Sequence, residues 1–280
     1  MASMRQMRAS TADGFLEVDG ARLRYRDEGD GFPLLLIHGW ALDLEMWQPQ
    51  VDAWRERLRV IRYDRRGFGA SSGRPSLDLD VCDAESLLRR LNVSRVAVVG
   101  MSQGARTALK LAAGPMRSHV ACLVLDGAPF ETGQDEESEV PLERYRELAR
   151  QQGLEAFRAE WLAHPFTQLR TTDAGARESL SRMTARYPAH DLRFPGHAQL
   201  AEPPLAEVTV ATLVINGELD TPRRREMGDE LARALPRAER TIVPGAGHLP
   251  NLDNPSRYNE RILSFIERST GDGRSGGHDA

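Results

Sequence analysis

The ten residues from Val96 to Ala105, VAVVGMSQGA, constrain the architecture of this chain more than any other stretch. VAVV is a short apolar run rich in β-branched residues, the pattern of a buried strand. From Gln103 to Ala113 apolar residues recur three and four apart, which predicts an amphipathic helix. The turn between them is confined to G-x-S-x-G. There Gly100 and Gly104 let backbones approach closely, and Ser102 projects its hydroxyl from the strand end. A strand that feeds straight into a helix belongs to a mostly parallel sheet covered by helices, so the fold class is α/β.

The remaining chain repeats that alternation. Phe15 to Val18 and Arg22 to Tyr25 flank an Asp19-Gly20 turn and predict an antiparallel hairpin at the sheet edge. Further strands are expected at Leu34 to Ile37, Arg59 to Tyr63, Cys122 to Leu125, Thr212 to Ile215 and Arg240 to Val243. Helical periodicity marks Met46 to Arg57, Asp78 to Leu91, Arg223 to Leu235 and Ser256 to Glu267. From Phe130 to Pro204 the strand–helix rhythm stops. Helical patterns follow one another with no strand between them, until Pro203-Pro204 ends the run. The expected organisation is a core over 14–129 and 205–269, a helical cap over 130–204, and disordered tails at 1–13 and 270–280.

Composition narrows the class of function. With 280 residues, 40% apolar and 28% charged, the chain can bury about three quarters of its unfolded surface and needs no disulfide or metal to hold a core. Cys82 and Cys122 therefore read as buried small hydrophobes in a reducing compartment. A formal charge of −4 provides no basic excess for nucleic acid or anionic membranes. No apolar run approaches the ~18 residues of a membrane span, and no apolar segment follows the arginines of the first dozen residues, so a cytoplasmic location is expected. Neither HExxH nor zinc-type cysteine spacing nor a dinucleotide-binding glycine loop occurs, and no metal or cofactor is expected. A homodimer is compatible with the sequence, which carries no mark of oligomeric state.

Serine at neutral pH needs a base, and the base needs a carboxylate to orient it. Of the seven histidines, His248 has the strongest context, in the glycine-rich VPGAGHLP loop after the last strand. His38 suits a loop-shaping role. Asp220, just past the Thr212 to Ile215 strand, is the leading acid, and Asp126 at the end of the strand after the serine helix competes with it. Asp253 reads as a cap for the helix near Ser256. An oxyanion hole needs one amide from the residue after the nucleophile and one from the loop after an earlier strand, which names Gln103 and Trp40. Phe130, Phe157, Trp161, Phe166 and Met183 are candidates for an apolar substrate pocket, with packing of the cap as the alternative. Arg182 and Arg186 read as a solvated helix face before carboxylate contacts, and Asp64-Arg65-Arg66 as a turn-shaping segment.

These residues resemble the α/β-hydrolase fold superfamily from about Phe15 to Arg268, and in particular its bacterial esterase, cofactor-free haloperoxidase and enol-lactonase branch. The resemblance rests on HGWALDLEMW at His38 to Trp47, YDRRGFGAS at Tyr63 to Ser71, and the serine turn. It implies Ser102 as nucleophile, Asp220 as acid, His248 as base, and the Trp40 and Gln103 amides as oxyanion donors. Serine in place of the aspartate nucleophile argues against dehalogenase and epoxide-hydrolase chemistry. Gln103 and Gly104-Ala105 depart from the Met and Gly-Gly common in the esterases. The expectation is a serine hydrolase acting through an acyl-enzyme on a small to medium, partly apolar carboxylic ester or lactone. Carbon–carbon bond hydrolysis with the same triad, or a lyase, isomerase, cyclase or ligand-binding role, is the alternative.

Overall fold

The computed structural model describes residues 11–130, 139–193 and 203–271. It begins with the strands β1 (Thr11–Val18), β2 (Ala21–Glu28), β3 (Phe32–Ile37) and β4 (Leu58–Tyr63), with helix α1 (Gln48–Trp54) between the last two. Helix α2 (Leu77–Arg90), β5 (Val96–Met101), α3 (Gln103–Ala113) and β6 (Val120–Asp126) follow. Next come four helices with no intervening strand among the described residues: α4 (Leu142–Gln152), α5 (Leu154–Ala163), α6 (Ala174–Arg186) and α7 (His190–Arg193). The chain then returns to the sheet through β7 (Ala211–Gly217), α8 (Pro222–Ala234) and β8 (Ala238–Val243), and ends in α9 (Pro250–Asp253) and α10 (Pro255–Thr270).

The eight strands form one sheet in the order β1-β2-β4-β3-β5-β6-β7-β8. β1, β2 and β4 pair antiparallel, and every pairing from β4 onward is parallel. The strand order reverses direction at β3, between β4 on one side and β5 on the other. A crevice opens at such a switch point beyond the carboxyl ends of the strands, which is where Ser102 lies. The period-2 alternation of strand side chains builds a core on each face of the sheet. Leu34, Leu36, Ala97 and Val99 pack with Val51 and Trp54 of α1 and Ile262 and Phe265 of α10. Leu35, Ile37, Val96 and Val98 pack with Leu87 of α2, Ala108 of α3 and Leu231 of α8. A third, largely aromatic cluster joins Trp40 and Phe68 to Tyr145, Phe157, Trp161, Phe166 and Tyr187 from the segment between β6 and β7.

Three expectations are corrected. β1 starts at Thr11, inside the stretch expected to be disordered, because Thr11 to Gly14 continue the ladder with β2 and Asp13 accepts a hydrogen bond from Arg26 Nε at 3.1 Å. α10 extends through Thr270, whose hydroxyl donates to Ile266 O, and stops at Gly271 with φ +77°, the left-handed residue that commonly ends a helix. Cys82 lies on the exposed side of α2, whereas Cys122 is buried. The rest of the expected tails, 1–10 and 272–280, lies outside the described residues.

Candidate active site

Ser102 occupies the left-handed region, with φ +49° and ψ −118°, a conformation that costs a non-glycine residue about 1–3 kcal/mol and persists only where its surroundings enforce it. The enforcement is visible. Ser102 N–H donates to Asp126 O at 2.7 Å, and Ser102 O accepts from Ala105 N–H at 2.9 Å. A Cβ at Gly100 would sit 2.4 Å from Gly104 O, and one at Gly104 would sit 2.4 Å from Ile37 O. The two glycines thus let α3 press against β5 and the end of β3. The serine then stands at the amino end of α3, where the partial positive charge of the helix favours a developing anion.

His248 is held from three sides. Its Nδ1 lies 3.1 Å from both carboxylate oxygens of Asp220, and since a carboxylate only accepts, Nδ1 carries the proton. Asp220 also accepts from Asn216 Nδ2 at 3.0 Å and Thr221 N–H at 2.8 Å. Burial opposes ionisation of Asp220, but His248 and these two donors outweigh it and hold the carboxyl below its usual range. Phe166 stacks on the imidazole with ring centroids 4.0 Å apart. Beside the ring lies Gly127, φ +53°, where an added Cβ would come within 2.8 Å of Cε1. Nε2 is buried and has no hydrogen-bond partner among the described residues, and His248 borders the same ≈ 30 Å³ cavity as Ser102.

The structure separates the alternatives left open by the sequence. The carboxyl of Asp126 turns toward α10 and accepts from the Tyr258 hydroxyl at 3.0 Å. Burial pushes its pKa well above the carboxylate range; the Tyr258 bond opposes that shift and the charge of Asp220 adds to it. His38 Nε2 accepts from Arg65 N–H at 2.9 Å while Nδ1 faces Gly39 O at 2.7 Å, so both ring nitrogens are engaged in loop structure. Burial, and then the charge of Arg65, depress its pKa to about 3. Asp253 does not cap α10, which is capped by Asn254. It accepts from Gly247 N–H in the histidine loop and from the Arg170 and Thr171 amides, joining that loop to the β6–β7 segment.

Trp40 and Gln103 both border a larger cavity of ≈ 170 Å³ together with Ser102. Among the described residues the Trp40 amide makes no hydrogen bond, and the Gln103 amide, at the first position of α3, has no acceptor within the helix. The Trp40 indole donates to Asp191 Oδ2 at 2.6 Å, and Asp191 also accepts from the Tyr187 hydroxyl. Its ring packs edge-on against Phe157, Trp161 and Tyr187. The side chain of Gln103 accepts from Arg65 Nη2 at 2.9 Å, and Arg65 donates twice more to Asp80.

Of the five pocket candidates, Trp161 and Phe166 border the smaller cavity. Phe157 is buried in the aromatic cluster, where it serves packing. Met183 points into the core beneath the sheet, and Phe130 packs beside α8, its amide near the Met227 sulfur. Arg182 pairs with Glu178 on the helix surface, and Arg186 pairs with Asp43 of the loop after β3. The polar wall instead comes from Arg65, read from the sequence as part of a turn-shaping segment, and from three residues the sequence did not single out: Arg106, Asp191 and Arg224. Arg106 alone left a usable signal, being four residues beyond Ser102 and so on its side of α3. Among the described residues no group of three or more His, Cys, Asp or Glu side chains is placed to hold a metal ion, and no helix is long and apolar enough to cross a membrane.

An eight-stranded, mostly parallel sheet with flanking helices and a strained serine turn after its fifth strand defines the class, and residues 34–261 match the alpha/beta hydrolase family. The chain belongs to that family. It is 25% identical over 256 residues to a pimeloyl-[acyl-carrier protein] methyl ester esterase of Pectobacterium atrosepticum, covering 88% of this chain and 99% of the relative. A non-heme haloperoxidase of Rhodococcus erythropolis is 28% identical over 270 residues, 89% and 97% of the two chains. Among solved structures, a bromoperoxidase from Bacillus anthracis superposes with a TM-score of 0.76 at 25% identity, covering 93% of this chain and all of that one (100%).

Proposed function

We propose that this α/β hydrolase is a serine hydrolase that cleaves a carboxylic ester or lactone through an acyl-enzyme, with the helices between β6 and β7 acting as a cap over the site. The observation that carries the reading is the arrangement at one cavity: a serine held at φ +49° and a histidine whose Nδ1 is fixed by Asp220 while Nε2 is unengaged among the described residues. The family membership and the esterase relative support it.

In this mechanism Ser102 Oγ attacks the acyl carbon and His248 Nε2 takes the hydroxyl proton. Asp220 holds the ring in the Nδ1–H tautomer and stabilises the imidazolium. The carbonyl oxygen, now an anion, lies between the Trp40 and Gln103 amides, each worth about 3 kcal/mol at such a site. His248 returns the proton to the leaving oxygen, and the acyl group stays on Ser102. Water then attacks the acyl-enzyme with His248 again as base, releasing acid and restoring the serine. His38 takes no part, because both its ring nitrogens are engaged.

The test is burst acylation by a p-nitrophenyl ester together with labelling by a fluorophosphonate probe. Both are expected in the parent and absent in Ser102→Ala. A burst retained in the variant would reject the assignment, as would a parent that neither labels nor turns over any ester. Labelling combined with cleavage of a carbon–carbon substrate in preference to esters would keep the nucleophile and replace the substrate class.

A further inference from the structure

Arg224 stands in the first turn of α8, just beyond Asp220, and is only 7% exposed. A guanidinium withdrawn from water needs its charge and its donors matched, so its contacts show what it holds. Its Nε lies 2.6 Å from Glu139 Oε2, its Nη1 donates to Gly127 O at 3.3 Å, and its Cζ sits 4.8 Å from the centre of the Phe166 ring. Gly127 and Phe166 are the two neighbours that confine the His248 imidazole, the first leaving no room for a Cβ beside it and the second stacked on it. The backbone of Arg224 reaches the acid as well. Its N–H donates to Thr221 Oγ1 and its carbonyl accepts from Asn216 Nδ2, each at 3.3 Å, while the Thr221 amide and the Asn216 side chain are donors to the Asp220 carboxylate. The Thr221 hydroxyl in turn donates to Glu139, so one carboxylate joins both arms of the arrangement.

The charges are balanced. Asp220 and Arg224 face His248 from the core, and Glu139 and His164 from the segment between β6 and β7. Asp253 and Arg170 lie beside Gly247 in the histidine loop. Burial disfavours charge on His164, whose Nε2 faces Glu139 O at 3.0 Å, and on Asp126 behind Asp220. A bare guanidinium near the imidazole would oppose the imidazolium formed in each proton transfer; Glu139, paired with Arg224, offsets it.

Resting on the mechanism above, we propose that Arg224, neutralised by Glu139, is a positioning residue for His248 and Asp220 together, locking Gly127 and Phe166 around the ring and Thr221 and Asn216 on the carboxylate. The experiment compares the full chain with Arg224→Met, Glu139→Gln and the double variant, reading kcat and KM for a p-nitrophenyl ester from pH 5 to 9, the fluorophosphonate labelling rate and the urea midpoint. In Arg224→Met, kcat is expected to fall by about tenfold or more with KM within about threefold, and labelling to slow in parallel. Its acid limb of kcat/KM should move to higher pH by about half a pH unit or more, because Glu139 is left as an unbalanced anion that favours the imidazolium. Glu139→Gln should move the limb the opposite way. The double variant should return it to the parent position while kcat stays low, a combination that lost packing alone does not produce. A folded Arg224→Met with kcat within about twofold of the parent overturns the proposal, as do limbs that stay fixed or move in the same direction. Recovery of kcat in the double variant also overturns it, reducing Arg224 to a counter-ion for Glu139. If Arg224→Met does not fold, Arg224→Lys decides: its single ammonium cannot span Glu139, Gly127 and Phe166, so a similar fall in kcat is expected, and full kcat refutes the lock. A parent that labels and is matched by its variants rejects only the positioning role; a parent that neither labels nor turns over an ester rejects the serine mechanism beneath it.

Discussion

Replacing Asp191 with leucine removes the shared acceptor of two buried donors, the Trp40 indole N–H and the Tyr187 hydroxyl. Trp40 is 9% exposed and Tyr187 is 2% exposed, so water cannot readily replace the carboxylate. Each buried donor left unpaired costs about 1–3 kcal/mol, which places the loss of stability at roughly 2–6 kcal/mol. Asp191→Asn is the control. Its amide oxygen can accept from Trp40, its NH2 can donate to a Tyr187 hydroxyl turned to accept, and the expected cost is about 1 kcal/mol. The kinetic consequence follows from the backbone: Trp40 carries the amide proposed to bind the oxyanion, and the next residue, Ala41, sits at φ +56°. If the indole no longer fixes that loop, the ceiling on lost transition-state stabilisation is one oxyanion donor, about 3 kcal/mol or roughly a hundredfold in kcat. Urea unfolding and steady-state hydrolysis of a p-nitrophenyl ester measure both. A leucine variant as stable as the parent, with kcat within about twofold, would refute the clamp. An asparagine variant damaged as badly as leucine would show that charge matters here and not hydrogen bonding.

Other perturbations test neighbouring parts of the argument. Gly127→Ala introduces a Cβ 2.8 Å from His248 Cε1 at a left-handed position, so kcat/KM should fall by about tenfold or more; activity within about twofold of the parent would mean that Gly127 does not hold the ring in place. His38 predicts acid sensitivity with a definite sign. Its folded pKa of about 3 lies below the ordinary 6.5, so between those values the unfolded chain binds a proton that the folded one refuses. Stability is lost as pH falls through that window, by up to about 5 kcal/mol. Asp64 acts oppositely: burial, then the charge of Asp43, raise its pKa to about 6, so it adds stability as pH drops from there toward 3.8. Denaturant midpoints measured from pH 7 to 4 should flatten in His38→Gln relative to the parent, and parallel curves would dismiss His38 as the source.

The strands and the serine turn were legible because their signals are local: β-branched runs, glycines where no Cβ fits, and helical spacing directly after Ser102. The placement of His248 and Asp220 was legible because each follows a strand whose carboxyl end must face the crevice. Whether an aromatic residue lines a cavity or fills a core was not legible, since burial demands the same side chain in either place. Phe157 and Trp161 lie one turn apart on α5, yet of the two only Trp161 borders one of the cavities described at Ser102. Arg106 could be read only from its spacing after Ser102, and Arg65 and Arg224 gave no periodic pattern, because what gathers the three is the meeting of the loop after β4 with α3 and α8, set by sheet order. Asp253 was misread for a related reason: its position suits a helix cap, but the amides it accepts from include two contributed by a segment about eighty residues away.

Apart from the Glu139–Arg224 pair, the segment between β6 and β7 grips the core at three points: Asp191 on Trp40, Arg186 on Asp43, and Phe166 with the Arg170 and Thr171 amides around the histidine loop. On the proposed mechanism, selectivity and turnover are therefore not separable modules. A chimera that imports the corresponding segment from another member of the family would import new anchors for the loops that carry Trp40 and His248, along with new walls. Laboratory evolution aimed at different substrates should progress faster when libraries keep Asp191, Arg186 and Phe166 constant and vary the residues between them.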